Sequence, residues 1–319
     1  PSSARLPRLK SSAFVSEKPQ AFINPASGSI RLTGEIDFVD AEGNVIESII
    51  APKLCGCGLS KDKPRCDGSH KEYIKLFAEA LRNARELVKP CMSFSPMAKK
   101  ARDIRENELA YRLEAGETMV GVKVGGALDS PNSAEPTSVM IFGYLTDAMA
   151  LTDSIKTANY IHPRAEAEVV FKISKEISTE IHPSEVLDYV SHVAAGFEIF
   201  DYRYGQAQIY ANDAIADNAG SAAYVYSHWV AAHEANLENL TAQVFANEIE
   251  IETAPLTAIR GNPWLALVLL SKVLVENGVK LPAGSIVFSG SATKAIYLAA
   301  GNNYALDIKG LGRVELKAI

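Results

Sequence analysis

Cysteine is scarce in this chain. There are four in 319 residues, and three of them, Cys55, Cys57 and Cys66, crowd into one short stretch. Three neighbouring thiols cannot pair without leaving one over, so metal binding explains the stretch better than a disulfide framework. Cys91 stands apart and reads as a neutral or buried thiol. Basic residues are not in excess: 32 Lys and Arg face 38 Asp and Glu, a net charge of −6. That argues against a general nucleic-acid-binding surface. No unbroken apolar run reaches the roughly 18 residues that cross a bilayer, so no membrane partner is expected. No basic-then-apolar leader opens the sequence, and the expected location is cytoplasmic. There is no internal repeat.

What is present suits two domains: 47% of residues are hydrophobic over a length too great for one small core. Residues 1–28 are rich in Ser, Pro and basic residues and read as an extended N-terminal arm. From residue 29 the texture changes. Ile30, Leu32, Ile36 and Phe38 alternate with polar residues, as on a half-buried strand. Asp40–Gly43 reads as a turn and Val45-Ile46 as the start of a return strand. A loop carrying the cysteines follows. Periodicity then predicts a helix over 72–89, stopped by Pro90, and a second capped by Ser95 and Pro96 that runs to Gly116. Beyond Gly116, β-rich runs are expected at 118–124, 138–145, 167–173, 194–200, 222–230, 241–249, 285–289, 304–308 and 313–318. Helices are expected at 184–193 and 263–277. Strands dominate without regular alternation, which disfavours a doubly wound sheet and gives an α+β class.

The first motif is C-x-C-x8-C-x3-H: Cys55, Cys57, Cys66 and His70. Thiolates bind iron, and imidazole can replace one of them. Gly56, Gly58 and Gly68 let the backbone turn tightly around a cluster. A tetrahedral zinc site is the chemical competitor, although C-x-C is tighter than the usual zinc pair. Residues 29–72, with Ser60, Pro64, Asp67 and Gly68 in place, strongly resemble the CDGSH iron–sulfur family. The resemblance implies a small β-rich domain over 29–74 whose three Cys and one His hold a [2Fe–2S] cluster. It also implies pH-dependent cluster behaviour, since one ligand is a His.

The second motif is Glu166-Ala-Glu168, followed by Glu198 in Gly-Phe-Glu-Ile-Phe. Glu-x-Glu on a strand puts both carboxylates on one face. Three carboxylates among apolar neighbours repel one another unless a hard cation such as Mg²⁺ or Mn²⁺ joins them. On spacing alone a solvated strand face is the commoner reading. Residues from about 80 onward resemble the fumarylacetoacetate hydrolase superfamily, especially its 2-oxopent-4-enoate hydratase and 4-oxalocrotonate decarboxylase group. The matching segments are Val120–Gly125, Phe142–Asp147, Ile161–Glu168, Glu198–Arg203, Ala216–Ala219 and Lys309–Gly312. The implied fold is a mixed β-roll with flanking helices over 75–319, with a helical lead-in at 75–116. The resemblance implies that Glu166, Glu168 and Glu198 bind Mg²⁺ or Mn²⁺ and that Lys123 orients substrate or moves protons.

The implied activity is decarboxylation of a 2-oxo dicarboxylic acid through an enolate whose charge the cation offsets. Hydration or another C–C cleavage is the alternative, and a redox or cluster-transfer protein with the large domain as scaffold is the non-enzyme reading. Asp217, Asn218 and Gly290 are candidate pocket residues. Lys294 is a candidate contact for a second substrate carboxylate. The family's usual His-Pro is Asn262-Pro263 here, which leaves the substrate open. Expected partners are a small 2-oxo acid, further copies of the chain in a homo-oligomer and a redox partner.

Overall fold

A computed structural model describes residues 20–23, 30–55, 60–69, 72, 75, 79–80, 98–128, 138–205 and 208–319. Cys57, His70 and Cys91 lie outside the described residues, as do most of the expected arm and most of the helix expected over 72–89.

The N-terminal part is built from short strands. β1 (Ala21–Ile23), β2 (Ile30–Leu32) and β5 (Lys53–Leu54) form one antiparallel sheet, with β2 central. β3 (Glu35–Val39) and β4 (Val45–Ile50) form a hairpin. The expected turn joins them: Asp40 Oδ1 accepts from the Asn44 amide at 2.8 Å and the Glu42 amide at 3.1 Å. The single strand read through Ile30–Phe38 is broken at Gly34, whose φ of +82° turns the chain.

Helix α1 (Ala98–Glu114) leads into the larger part. It buries Ala101 and Ile104, and also Arg105, whose guanidinium lies 3.9 Å from the Phe142 ring centroid. The strands that follow are β6 (Met119–Leu128), β7 (Ser138–Thr146), β8 (Ser154–Ile155), β9 (Arg164–Ile173), β10 (Val190–Phe200), β11 (Ser221–Tyr226), β12 (Val230–Ala231), β13 (Thr241–Ala246), β14 (Ile249–Pro255), β15 (Ile286–Phe288), β16 (Ile296–Tyr297), β17 (Asn303–Ile308) and β18 (Gly312–Ala318). The larger sheet runs β11-β10-β9-β15-β6-β7, with β12 beside β10 and β16 beside β9. The second runs β14-β13-β17-β18-β8. Antiparallel pairing dominates, and the parallel contacts are β15 with β6 and β18 with β8. Val122, Val169, Phe171 and Phe197 of the larger sheet share one core with Val244, Leu306 and Val314 of the second. Two further helices are α2 (Ala211–Ala216) and α3 (Pro263–Glu276).

Helix α3 matches expectation, with Asn262 accepting from the Trp264 amide at 2.9 Å as its N-cap. The segment Leu256–Glu276, which ends in α3, is long and apolar enough by length and composition to cross a membrane. Its inward residues Ala266, Leu267, Leu270 and Leu274 are fully buried in the shared core.

Two expectations are corrected. The helix expected over 184–193 is only a 3-10 turn, Pro183–Tyr189, because Val190 onward pairs with β9. The strand expected over 241–249 is a hairpin: Asn247 and Glu248 both take positive φ, 50° and 65°, and reverse the chain.

Candidate metal centre

Strand β9 is buried on both faces. Ala165, Ala167, Val169 and Phe171 enter the shared core, while Glu166, Glu168 and Val170 face the other way. Strand β10 sets Glu198 directly opposite Glu166 and Gly196 opposite Glu168. Opposed residues on an antiparallel pair share a face. One carboxylate oxygen from each of Glu166, Glu168 and Glu198 therefore lies within 4.8 Å of the others. Gly196 keeps the strands close, because a Cβ there would come within 2.5 Å of Val170 Cγ2.

Lys123 arrives from β6, across β15. It is 2% exposed, and its Nζ donates to Glu198 Oε2 at 3.1 Å. The Gly290 amide donates to Glu168 Oε2 at 2.8 Å. Glu168 Oε1 and Glu198 Oε1 are buried and have no hydrogen-bond partner among the described residues.

Burial pushes all three carboxyls up, with Glu198 reaching about 7 and Glu168 raised well above its ordinary value. Burial alone would lower Lys123, but the charges of Glu198 and Glu166 outweigh it and hold the ammonium above its ordinary value. Lys123 is therefore a fixed cation, where desolvation by itself would have made a base.

One lysine cannot balance three buried carboxylates, and two orphaned oxygens point inward. Oxygen donors with a charge deficit suit a hard divalent cation, so Glu166, Glu168 and Glu198 fit Mg²⁺ or Mn²⁺.

Two cavities meet at Glu166, Gly125 and Gly126. One, of about 530 Å³, is also lined by Lys123, His162, Arg164, Phe200 and Tyr202. The other, of about 170 Å³, is also lined by Ser289, Gly290, Ser291, Ile259 and Arg260. Arg164 was legible in hindsight, since it precedes Glu166 by two on the same strand and so shares its face. Nothing in the local pattern marked Tyr202 or Arg260.

The remaining candidates lie elsewhere. Asp217 is fully buried and bound to Arg203, with Oδ1 3.1 Å from Nε and Oδ2 accepting from the Arg203 amide at 2.7 Å. Burial raises Asp217 to about 7 despite that partner. Asn218 clamps the backbone of Tyr144, accepting from its amide at 2.7 Å and donating to its carbonyl at 3.0 Å. Both side chains are thus engaged inside the protein and line neither cavity. Lys294 is exposed and also outside both linings.

In the N-terminal part, the Cys55 amide donates to Pro64 O and the Cys66 amide to Lys53 O, each at 2.8 Å. These bonds flank a bridge between Leu54 and Arg65 and bring the two half-buried cysteines onto paired segments. Asp67 accepts from the Ser69 amide at 2.9 Å and the Lys61 amide at 2.8 Å, which holds its carboxyl well below the usual range. Its side chain thereby shapes the loop that follows Cys66. Thiolates on a tightly bonded loop fit an iron site.

Residues 27–71 match the family described as "Iron-binding zinc finger CDGSH type". A 4-oxalocrotonate decarboxylase from Pseudomonas sp. is 32% identical over 219 residues, covering 68% of this chain and 85% of the relative. A 2-hydroxyhexa-2,4-dienoate hydratase from Comamonas testosteroni is 30% identical over 268 residues, covering 78% and 98%. The chain belongs to the decarboxylase and hydratase family of the fumarylacetoacetate hydrolase superfamily. These relatives are lyases of small organic acids. The fold agrees with that of 4-oxalocrotonate decarboxylase from Pseudomonas putida G7, solved with magnesium and adipate: TM-score 0.68 at 24% identity, covering 78% of this chain and 98% of that one. This lyase-family domain thus follows a CDGSH-type segment in one chain.

Proposed function

We propose that the protein is a divalent-metal-dependent decarboxylase of a 2-oxo dicarboxylic acid. The observation that carries this reading is the convergence of Glu166, Glu168 and Glu198, two with orphaned oxygens, beside a buried ammonium. A bound divalent ion supplies Lewis-acid polarisation of a 2-oxo carbonyl. Lys123 adds a fixed positive charge at Nζ, where an oxyanion develops, in a cavity lined by Phe200 and Tyr202. The similarity to the Pseudomonas sp. decarboxylase supports decarboxylation.

Hydration of a 2-oxo-4-enoate is the second reading, and the similarity to the Comamonas hydratase favours it. Assaying both substrates with Mg²⁺ decides. CO2 release from a 2-oxo-enedioate, faster than water addition to 2-oxopent-4-enoate, is expected. The reverse order overturns decarboxylation in favour of hydration. As a further part of this reading, Cys55, Cys57, Cys66 and His70 hold a [2Fe–2S] cluster. The Asp67-ordered loop supports that assignment, and a visible absorption spectrum with two irons and two sulfides per chain tests it.

A further inference from the structure

The 170 Å³ cavity is lined by Glu166 of the carboxylate site and by Arg260. Arg260 sits in a loop pinned by Leu256, 0% exposed, and Ile259, 2% exposed. Its own φ is +52°, in the left-handed region that residues other than Gly rarely enter. The Arg260 amide is tied to Ala258 O and the Gly261 amide to Thr257 O, each at 2.9 Å. This turn sets the side chain over Gly126, where a Cβ would lie 3.8 Å from Nη2. Among the described residues the guanidinium has no ion-pair partner, and it is the cavity's one cationic lining group.

The larger cavity is lined by two cationic side chains, Lys123 and Arg164. Lys123 is bonded to Glu198, and Arg164 lies 6.0 Å from the Phe200 ring centroid. In the smaller cavity the cationic group is Arg260, and the glycines Gly125, Gly126 and Gly290 line it beside Glu166. We propose that Arg260 is a specificity-determining residue that docks the far carboxylate of a dicarboxylic substrate whose 2-oxo acid end lies at Glu166. This rests on the 2-oxo acid reading above.

Such a contact has a sign that a general structural role lacks. The far carboxylate loses its charge as CO2 departs, so Arg260 binds the ground state more strongly than the transition state. Its removal raises KM without lowering kcat.

The test uses the full chain loaded with Mg²⁺, as wild type, Arg260→Gln and Arg260→Lys. For Arg260→Gln, KM for a 2-oxo-enedioate rises about 10- to 100-fold, the loss of one charge-assisted contact. Its kcat holds or increases, and the preference for that substrate over 2-oxopent-4-enoate falls by a similar factor. Arg260→Lys recovers part of the loss. Calorimetry with hexanedioate and hexanoate gives a reading without turnover: Arg260→Gln loses the dicarboxylate preference. If KM rises equally for both substrates, or kcat falls at constant KM, the docking role is wrong while the decarboxylase reading stands. If wild type turns over neither substrate yet prefers hexanedioate through Arg260, docking stands and the reaction assignment fails. If wild type neither turns over nor prefers the dicarboxylate, both fail.

Discussion

The two ligand sets are held in opposite ways. The carboxylates sit on adjacent central strands of the larger sheet, and Glu168 and Glu198 are fully buried. Cys55 and Cys66 flank a loop in a part built from strands of two to six residues, and both are half-buried. Hard oxygen donors are buried where sheet register fixes them. Soft sulfur donors lie near the surface, where backbone bonds and Asp67 fix them. Carboxylates fixed by sheet register suit bond-making on a small acid. The chemistry and the cluster are separable on this view, and substitutions can break that separation or sharpen it.

The largest effect is expected from Glu168→Gln. Losing one ligand should cost about 4 kcal/mol of transition-state stabilisation, roughly a thousandfold in kcat. It should abolish thermal stabilisation by Mg²⁺ and leave the iron spectrum intact. Lys123→Met comes next: loss of the fixed charge should lower kcat by about a hundredfold, measured at saturating Mg²⁺. Asn218→Ala should lower stability by about 2 kcal/mol in denaturant titration, because two buried backbone groups of Tyr144 lose their partner. Cys66→Ser should bleach the iron absorption and change turnover less than about twofold, within the scatter of surface changes. A large loss of turnover in Cys66→Ser would end the idea of independent sites.

Metal removal sharpens the comparison through pH. Glu198, raised on folding, binds its proton more tightly in the native state, so its contribution is full below the unfolded value of 4.5 and lost as pH rises through about 7. Chelator-treated protein should melt at lower temperature as pH rises across that window. Mg²⁺ should reverse the trend, because it favours the ionised carboxylates. Differential scanning at several pH values checks both slopes.

Period-two patterning made Glu166 and Glu168 legible, since two residues apart on a strand means one face. Their union with Glu198 needed the pairing of β9 with β10, which no local pattern encodes. The same limit hid the partners of Asp217 and Asn218: polar residues in a small-residue run look like pocket lining until Arg203 and the Tyr144 backbone are placed beside them. The charge of Lys294 suggests an anion contact, yet Arg260 lines the cavity, because an irregular turn with positive φ carries no periodic signal. The 3-10 turn at Pro183–Tyr189 failed for a related reason. A Pro and a cap start a helix, but tertiary pairing from Val190 ends it after two turns.

The double burial of β9 has a further consequence for folding. A slip of one residue in that strand would drive Glu166 and Glu168 into the shared core and turn Ala165, Ala167 and Val169 toward the carboxylate face. Most strands tolerate such errors when both faces are alike. Here the two faces differ by whole charges, so misalignment carries a desolvation cost of several kcal/mol per carboxylate. The acids that hold the ion also act as an alignment key, and only the native register lets a cation lock it.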